Sequence, residues 1–235
     1  MFNKNNYITY LNMLKLYSYY RSTASYRVRI ALELKKLPYI YQSVSKLRKG
    51  EPEFTAEYGE INPQKMVPTL IDGDVVITQS LAIIEYLEER YQKPALLPID
   101  AVARAYTRQI ALLIGCDIHP LNIMRVRKYL TLPIGLNHVE KTNWYHYWLG
   151  EGLNALEKLL VNSKFRGDFC YGNEPTIADI FLVPQVYNAE RFEYPLEAYP
   201  NIYKIYELCV KHPAFVAAQP DLQPDASEYH PDDEY

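Results

Sequence analysis

Cysteine is scarce in this chain, and its three copies lie far apart, at Cys116, Cys170 and Cys209. An odd number of cysteines with no Cys-x-x-Cys pair argues against a disulfide framework and against a cysteine zinc site. The histidines show no metal-binding spacing such as His-Glu-x-x-His. The sequence therefore predicts a reducing, cytoplasmic location and no bound metal.

Long apolar runs and an excess of positive charge are also missing. No apolar stretch reaches the length that spans a bilayer. The net charge is -3 and the isoelectric point is about 6.0, with no basic stripe on any predicted helix. We therefore expect neither a membrane nor a nucleic acid as partner. Residues 1–13 are interpreted as a disordered extension, because residues 1–12 are polar and lack the apolar core of a secretory signal.

Short strand and helix signals alternate between residues 14 and 93, the first predicted domain. The predicted strands cover 14–19, 39–44, 69–71 and 75–78, and the predicted helices cover 23–36 and 80–91. The last two strands are joined by an Asp-Gly-Asp turn, which is typical of a hairpin. Residues 46–58, with Gly50 and Pro52, are interpreted as a loop with room for a short helix. This order predicts a parallel βαβ unit followed by a hairpin and a helix, so that the strands form a small mixed sheet with the helices packed on it.

Strand signals stop at a proline-flanked linker over residues 94–100. The second domain, 101–222, is predicted to be all-helical, with helices over 101–130, 139–161, 176–191, 201–211 and 213–218. The first of these should bend at His119-Pro120, and the third begins with a capping box from Thr176 to Asp179. The remaining residues, 223–235, form an acidic tail that is expected to be extended or disordered. The predicted fold class is an α/β domain followed by an all-α domain.

Hydroxyl groups and an arginine meet at the first strand-to-helix turn, at Arg21, Ser22 and Thr23. A helix start offers unpaired backbone N–H groups and the positive end of the helix dipole. Anions bind there, and a thiolate is stabilised there. Taken alone, Ser22 or Thr23 could be a simple N-cap.

Two further segments of the first domain could bind a ligand. Pro68, at the entry of a strand, is a candidate for a cis peptide that leaves the backbone of Val67 free to pair with an extended peptide. Gln79 and Ser80 precede a helix, where Ser80 is a natural N-cap and the helix start can hold a carboxylate. An edge-strand proline and a plain cap are the alternatives. Together the three segments suit a cysteine-containing tripeptide with a free carboxylate, which describes glutathione.

Four motifs carry a resemblance to a known family. Residues 21–32 read RSTASYRVRIAL, 62–70 read NPQKMVPTL, 79–87 read QSLAIIEYL and 179–192 read DIFLVPQVYNAERF. They occur in the order found in zeta-class glutathione transferases, and the resemblance spans residues 14–222. It implies a thioredoxin-like N-terminal domain, an all-α C-terminal domain and the maleylacetoacetate isomerase family. Glutathione is the implied cofactor.

Ala24 departs from that family pattern, which commonly has cysteine after the pair of hydroxyl residues. A protein-bound cysteine nucleophile is therefore excluded at this turn, as is dithiol redox chemistry. Some bacterial relatives, including maleylpyruvate isomerases, also lack this cysteine. The sulfur of glutathione must then be the nucleophile.

Arginine side chains are expected to bind the substrate beside glutathione, because a planar guanidinium suits carboxylates and a developing enolate. Arg21 is the first residue of the strand-to-helix turn at residues 21–23, which we call the thiol turn because it is expected to bind the glutathione thiol. The resemblance assigns His119, Arg125 and Arg191 to the pocket for a small dicarboxylate maleyl substrate. Arg27 and Arg29 are instead expected to be surface charges of the first helix.

The resemblance implies glutathione-dependent isomerisation of maleylacetoacetate to fumarylacetoacetate in tyrosine and phenylalanine degradation. It also implies a homodimer. Two near alternatives are maleylpyruvate isomerisation and a haloacid-active glutathione transferase. A third alternative, of a different class, is a non-catalytic partner-binding protein of the same fold.

Overall fold

The computed structural model describes residues 13–45 and 52–228, without the side chains of 52–54 and 228. Within them the chain divides into two compact units. The first contains residues up to Pro94 together with the stretch from Ala214, and the second contains Ala95–Pro213. No helix in these residues is long and apolar enough to cross a membrane.

A four-stranded sheet organises the first unit. Its elements are β1 (Leu14–Ser18), α1 (Thr23–Leu34), β2 (Tyr39–Ser43), α2 (Pro52–Ile61), β3 (Thr69–Asp72), β4 (Val75–Thr78) and α3 (Ser80–Arg90). The strand order is β2-β1-β3-β4, with β1 parallel to β2 and the other pairs antiparallel. The predicted βαβ unit and hairpin are both confirmed. Gly73 supplies the positive φ of 58° that the tight turn between β3 and β4 requires.

The core of this unit is formed where α1 and α3 pack together beside β1 and β3. Its fully buried apolar side chains include Leu16, Val28, Ile30, Leu70, Ile84 and Leu87. The prediction of a helix to residue 36 was two residues too long. Lys35 is the C-cap, and Lys36 adopts a left-handed φ of 54°, a conformation that ends helices.

Helices account for most of the second unit. They are α4 (Ala101–Leu112), a π-helix (Leu113–Ile118), α5 (His119–Asn122), α6 (Met124–Thr131), α7 (His138–Val161), α8 (Ile177–Arg191) and α9 (Pro200–Cys209). The capping box predicted at the start of α8 is confirmed, since Thr176 Oγ1 accepts from the Ala178 amide and Asp179 accepts from the Thr176 amide.

The helical stretch predicted over residues 101–130 is confirmed apart from Ile123, but its interruption does not coincide with His119-Pro120. The α-helical hydrogen bonding changes at Leu113, ahead of Pro120, and the chain then passes through a π-helix and two short helices. Gly152 of α7 lies against this region, because a Cβ there would come 2.1 Å from Ile118 Cγ1. Close packing against α7, rather than proline alone, therefore accompanies the irregular segment.

Two predicted non-regular segments also differ from the structure. Residues 46–58 were interpreted as a loop with room for a short helix. That helix is α2, which begins at Pro52 and continues beyond the predicted segment to Ile61; proline is well tolerated at the first helical position. The described part of the predicted tail is ordered. It follows α10 (Pro213–Ala218) and a 3₁₀ turn at Pro220–Leu222, and it contains the buried Gln223 and Asp225 and a second 3₁₀ turn at Ala226–Glu228. The predictions for residues 1–12, 46–51 and 229–235 fall outside the described residues.

Candidate active site

The three predicted glutathione-binding segments adjoin one row of the sheet. Tyr17 of β1 pairs with Thr69 of β3, which pairs with Thr78 of β4. The thiol turn follows the end of β1, the Val67–Pro68 peptide precedes β3, and Gln79 follows β4. The alternating strand directions therefore bring all three segments to the same end of the sheet.

The thiol turn has a defined hydrogen-bonding pattern. Ser22 is the N-cap of α1, and its Oγ accepts a hydrogen bond from the Ser25 amide over 3.2 Å. Thr23 is the first residue of the helix and is buried, whereas Ala24 is half-buried. The guanidinium of Arg21 stacks on the Tyr20 ring at 5.7 Å from its centroid. Ser22 is thus a cap whose hydroxyl proton can still be donated, because the cap uses only an oxygen lone pair.

The Val67–Pro68 peptide is cis, as the sequence indicated. Two buried side chains hold the loop before it. The Tyr58 hydroxyl donates to Met66 O over 2.7 Å, and Asn62 Nδ2 donates to the same carbonyl over 2.7 Å. Val67 precedes Thr69, the first residue of β3 that is paired in the sheet, so the Val67 backbone is outside the described sheet ladder.

The start of α3 differs from the predicted cap. Gln79, not Ser80, is the N-cap residue, with no cap bond from its side chain and a positive φ of 70°. Such a backbone costs a non-glycine residue roughly 1–3 kcal/mol and is common at ligand sites. The Gln79 side chain donates to Gln64 Oε1 over 2.8 Å, which links the α3 start to the loop before Pro68. Ser80 is the first helical residue and is buried.

Arg27 and Arg29 are both buried, so the prediction that they are surface charges was wrong. Arg27 Nη1 donates to Ser80 Oγ over 3.3 Å, which places a cation beside the predicted carboxylate site. Arg29 is fully buried and bonded to backbone carbonyls of the chain. The sequence signal for the burial of these arginines was the apolar composition of residues 28–32. A helix segment that is apolar on nearly all sides has no face on which a charged side chain could meet solvent.

In the second unit, Arg191 ends α8 within a polar and aromatic cluster. Its Nη1 donates to Asn188 Oδ1 over 3.3 Å, and Asn188 Nδ2 donates to the Tyr145 hydroxyl over 2.8 Å. Burial raises the pKa of Tyr145, while the positive charges of Arg127 and Arg191 act against that rise. The hydroxyl of Tyr145 therefore keeps its proton.

Arg127 is the member of this cluster that the sequence analysis missed. It is buried, and its guanidinium lies 4.4 Å from the centroid of Phe192, on which Arg191 also stacks at 5.6 Å. Arg125, the predicted residue, lies on an exposed position of α6, and His119 is half-buried at the start of α5. The available signal was helical spacing, since Arg127 shares a face with the buried Leu130.

No group of three or more metal-binding side chains occurs within residues 13–45 and 52–228. The sheet, its cis-proline loop and the following helical unit have the architecture of a glutathione transferase. The chain matches the family model of the glutathione S-transferase N-terminal domain over residues 16–95. It matches that of the C-terminal domain over residues 137–217.

Comparison with individual proteins narrows the class. The maleylacetoacetate isomerase of Pseudomonas aeruginosa is 47% identical over 90% of this chain and 98% of that protein. A solved holo structure of maleylpyruvate isomerase, a bacterial zeta-class glutathione transferase, is 43% identical with a TM-score of 0.86. It covers 90% of this chain and 99% of its own. The chain belongs to the zeta-class glutathione transferase and maleylacetoacetate isomerase family.

The maleylacetoacetate isomerase of Anaeromyxobacter dehalogenans has been solved with two ligand sets. With bound glutathione it is 39% identical, with a TM-score of 0.80, over 91% of this chain and 98% of its own. With dicarboxyethyl glutathione and citrate it is 37% identical, with a TM-score of 0.80, over 95% and 97%.

Proposed function

We propose that this protein is a glutathione-dependent isomerase that converts maleylacetoacetate to fumarylacetoacetate. The observation that carries the proposal is that three segments meet at one end of the sheet, next to the paired residues Tyr17, Thr69 and Thr78. This end gathers a helix start suited to a thiolate, a cis-proline loop suited to an extended peptide and a second helix start suited to a carboxylate. Glutathione requires this combination of contacts.

The helix start lowers the pKa of the glutathione thiol, because the N-terminal dipole favours an anion. Thr23, with Ser22 nearby, donates a hydrogen bond to the sulfur. The thiolate adds to one carbon of the cis double bond, and the electron pair of that bond moves to the conjugated carbonyl oxygen as an enolate. The former double bond is now single and rotates. Collapse of the enolate breaks the C–S bond, restores a trans double bond and releases the thiolate, with no net oxidation.

The ligand of one relative supports this route. Addition of the glutathione sulfur to maleylacetoacetate places one carboxyl group and one ketone on the two-carbon unit at sulfur, and addition to the simpler maleate places two carboxyl groups there. The dicarboxyethyl glutathione bound to the A. dehalogenans enzyme has the skeleton of the maleate adduct. Thiol addition to a maleyl-type alkene is therefore the chemistry that we assign to this protein.

Arginines bind the charged ends of the substrate in this proposal. Arg191 takes a substrate carboxylate, because it is half-buried and its guanidinium is oriented by Asn188. Arg21, His119 and Arg125 remain proposed participants from the sequence. Arg127 joins them as a buried cation of the Arg191 cluster.

Maleylpyruvate is the second candidate substrate, favoured by the likeness to the solved maleylpyruvate isomerase and by Ala24. The deciding experiment is an assay of the purified protein with glutathione and each maleyl compound in turn. We expect turnover that depends on glutathione without consuming it, and a higher kcat/KM for maleylacetoacetate. A higher kcat/KM for maleylpyruvate would reassign the substrate.

The partner-binding alternative is tested separately with immobilised glutathione. An isomerase of this kind should be retained and should elute with free glutathione, whereas a partner-binding protein that has lost the site should pass through. Loss of retention in Ser80→Ala would tie the binding to the site described above. Passage of the wild-type protein through the column would contradict the proposed function.

We also propose that the protein acts in tyrosine and phenylalanine degradation in the cytoplasm. The buried Cys170 and Cys209 are free thiols, as expected in a reducing compartment.

We propose in addition that the protein is a homodimer. Closed two-fold dimers are the commonest oligomers. Light scattering at micromolar concentration should give twice the chain mass of 27.5 kDa. A monomer mass would contradict the dimer.

A further inference from the structure

The backbone of Tyr20 is held on both sides by buried charged side chains. Its amide donates to Asp225 Oδ2 over 3.3 Å, and its carbonyl accepts from Arg29 Nη2 over 2.9 Å. Tyr20 lies in the turn between β1 and α1, two residues before the cap residue Ser22. We name Arg29 and Asp225 the Tyr20 clamp.

Arg29 anchors one side of the clamp. It is fully buried, and its Nη1 donates to Ser18 Oγ over 3.2 Å and to Tyr19 O over 3.4 Å. Its Nε donates to Ala218 O over 2.9 Å. The carbonyl of Tyr19 also accepts from the Ser22 amide over 3.0 Å. A rigid guanidinium fork thus fixes the same turn that positions the cap residue.

Asp225 anchors the other side. It is 1% exposed, and its Oδ1 accepts from the Tyr41 hydroxyl over 2.6 Å while Oδ2 also accepts from Ser43 Oγ over 3.0 Å. Burial, together with the hydrogen bond to Asp225, raises the pKa of Tyr41, so this hydroxyl stays protonated and donates. Ser43 of β2 shares Oδ2 with the Tyr20 amide, so the oxygen that fixes Tyr20 keeps a β2 partner of its own, separate from the Tyr41 bond to Oδ1.

The segment that carries Asp225 comes from the far end of the sequence. Tyr20 and Asp225 are separated by 205 positions, yet the stretch from Ala214 belongs to the same compact unit as the sheet. Gln223 Nε2 stabilises the turn before Asp225 by donating to Ala217 O over 3.1 Å and to Gln219 O over 2.9 Å. The segment after α10 is thus a built part of the glutathione-binding unit.

We propose that Asp225, acting with Arg29 through the Tyr20 peptide, is a positioning residue for the thiol turn. By fixing Tyr20, the clamp keeps Ser22 and the first turn of α1 in the orientation that holds the glutathione thiolate. Asp225 itself touches neither thiol nor substrate. This inference rests on the proposed glutathione chemistry, but the clamp can be measured without it.

The test compares Asp225→Ala, Asp225→Asn and Tyr41→Phe. The alanine variant removes the acceptor of the Tyr20 amide. The asparagine variant can restore it, because its amide oxygen can accept from Tyr20 and Ser43 while its NH₂ group faces the Tyr41 hydroxyl. Tyr41→Phe is the matched control, since it deletes a hydrogen bond to the same carboxylate and leaves the Tyr20 bond intact.

Two measurements give the result. The pKa of the glutathione thiol in the binary complex, followed by thiolate absorbance against pH, should rise by about one unit in Asp225→Ala, with turnover at neutral pH falling about tenfold. Amide hydrogen exchange of the peptide covering residues 19–25, without glutathione, should speed up in the same variant. Both should stay close to wild type in Asp225→Asn and Tyr41→Phe.

An unchanged thiol pKa in Asp225→Ala, or equal changes in Asp225→Ala and Tyr41→Phe, would overturn the proposal. If the alanine variant does not fold, Asp225→Ser replaces it, because its shorter side chain cannot reach the Tyr20 amide. Failure of both to fold while Tyr41→Phe folds would assign Asp225 a purely structural role and would also overturn it. If wild-type protein does not lower the thiol pKa, the proposed function fails, whereas the exchange result still tests the clamp.

Discussion

Arg27 Nη1 donates a hydrogen bond to Ser80 Oγ over 3.3 Å, and Arg27 as a residue is only 2% exposed. The bond joins α1 to the first residue of α3. Because Arg27 occupies a lone pair of the Ser80 oxygen, the Ser80 proton can be donated to a ligand carboxylate. A buried cation also raises the local affinity for an anion.

From this pair we predict that Arg27→Met weakens glutathione binding about tenfold, with turnover at saturating glutathione near wild type. Ser80→Ala should have a similar effect. The double variant should be little worse than either single one, because both changes remove the same arrangement. Calorimetric titration measures the affinities, and fully additive losses would show that the two residues act independently.

Thr23→Ala should lower turnover by roughly ten- to a thousand-fold and should change glutathione affinity less. One charge-assisted hydrogen bond to sulfur is worth about 1.5–3 kcal/mol and matters most while charge develops. Steady-state kinetics and a glutathione titration separate the two effects. Ser22→Ala is the variant for comparison. Unlike Thr23→Ala it removes the helix cap, so it should lower the free energy of unfolding by about 1 kcal/mol. Near-normal turnover in Thr23→Ala would make Ser22 the thiolate donor.

Arg191→Lys should raise KM for the maleyl substrate about tenfold and leave glutathione affinity unchanged. An ammonium group cannot reproduce the planar two-point contact of a guanidinium with a carboxylate. Lower kcat as well would indicate that Arg191 also stabilises the enolate. Tyr203→Phe, on a neighbouring helix, is a control that leaves the Arg191 cluster intact. Full activity in the lysine variant would remove Arg191 from the substrate site.

Lys35 ties the end of α1 to the end of α3. Its Nζ lies 2.7 Å from Glu88 Oε2, 2.7 Å from Tyr91 O and 2.8 Å from Pro94 O, with the ion pair almost fully buried. We predict that Lys35→Met lowers the free energy of unfolding by about 3–5 kcal/mol, because Glu88 is left buried without its cation.

Adding Glu88→Leu to Lys35→Met should recover part of that loss, since the double variant no longer buries the Glu88 carboxylate in the absence of the Lys35 ammonium. Urea unfolding followed by circular dichroism measures both variants. Glutathione affinity of the folded protein serves as the control and should not change. A double variant less stable than Lys35→Met would contradict this account.

Thiol labelling should distinguish the three cysteines. Burial raises the pKa of the Cys170 and Cys209 thiols, so both stay protonated and unreactive in mildly alkaline solution, whereas Cys116 is exposed on the π-helix. Iodoacetamide should therefore label Cys116 alone in the native protein and all three after denaturation. Peptide mass spectrometry identifies the sites, and native labelling of Cys170 at a comparable rate would contradict its burial.

Local sequence determined the elements whose stabilising contacts are short-range. The turn before β4, the capping box at Thr176 and the helix start after Ser22 each depend on residues two to four positions apart, so their patterns are visible in the chain itself. The same applies to the motifs over residues 21–32 and 179–192, which carried the family resemblance. The fold class and the location of the thiol turn followed from them.

Tertiary structure alone decided which groups pair with the buried charged residues. The partners of Arg27 and Asp225 lie 53 and 205 positions away, and no local pattern encodes such distances. The irregular path from Leu113 to Asn122 likewise depends on packing against Gly152 of α7. A buried charge is tolerated only where distant groups supply its hydrogen bonds, and those groups come together only when the whole chain has folded.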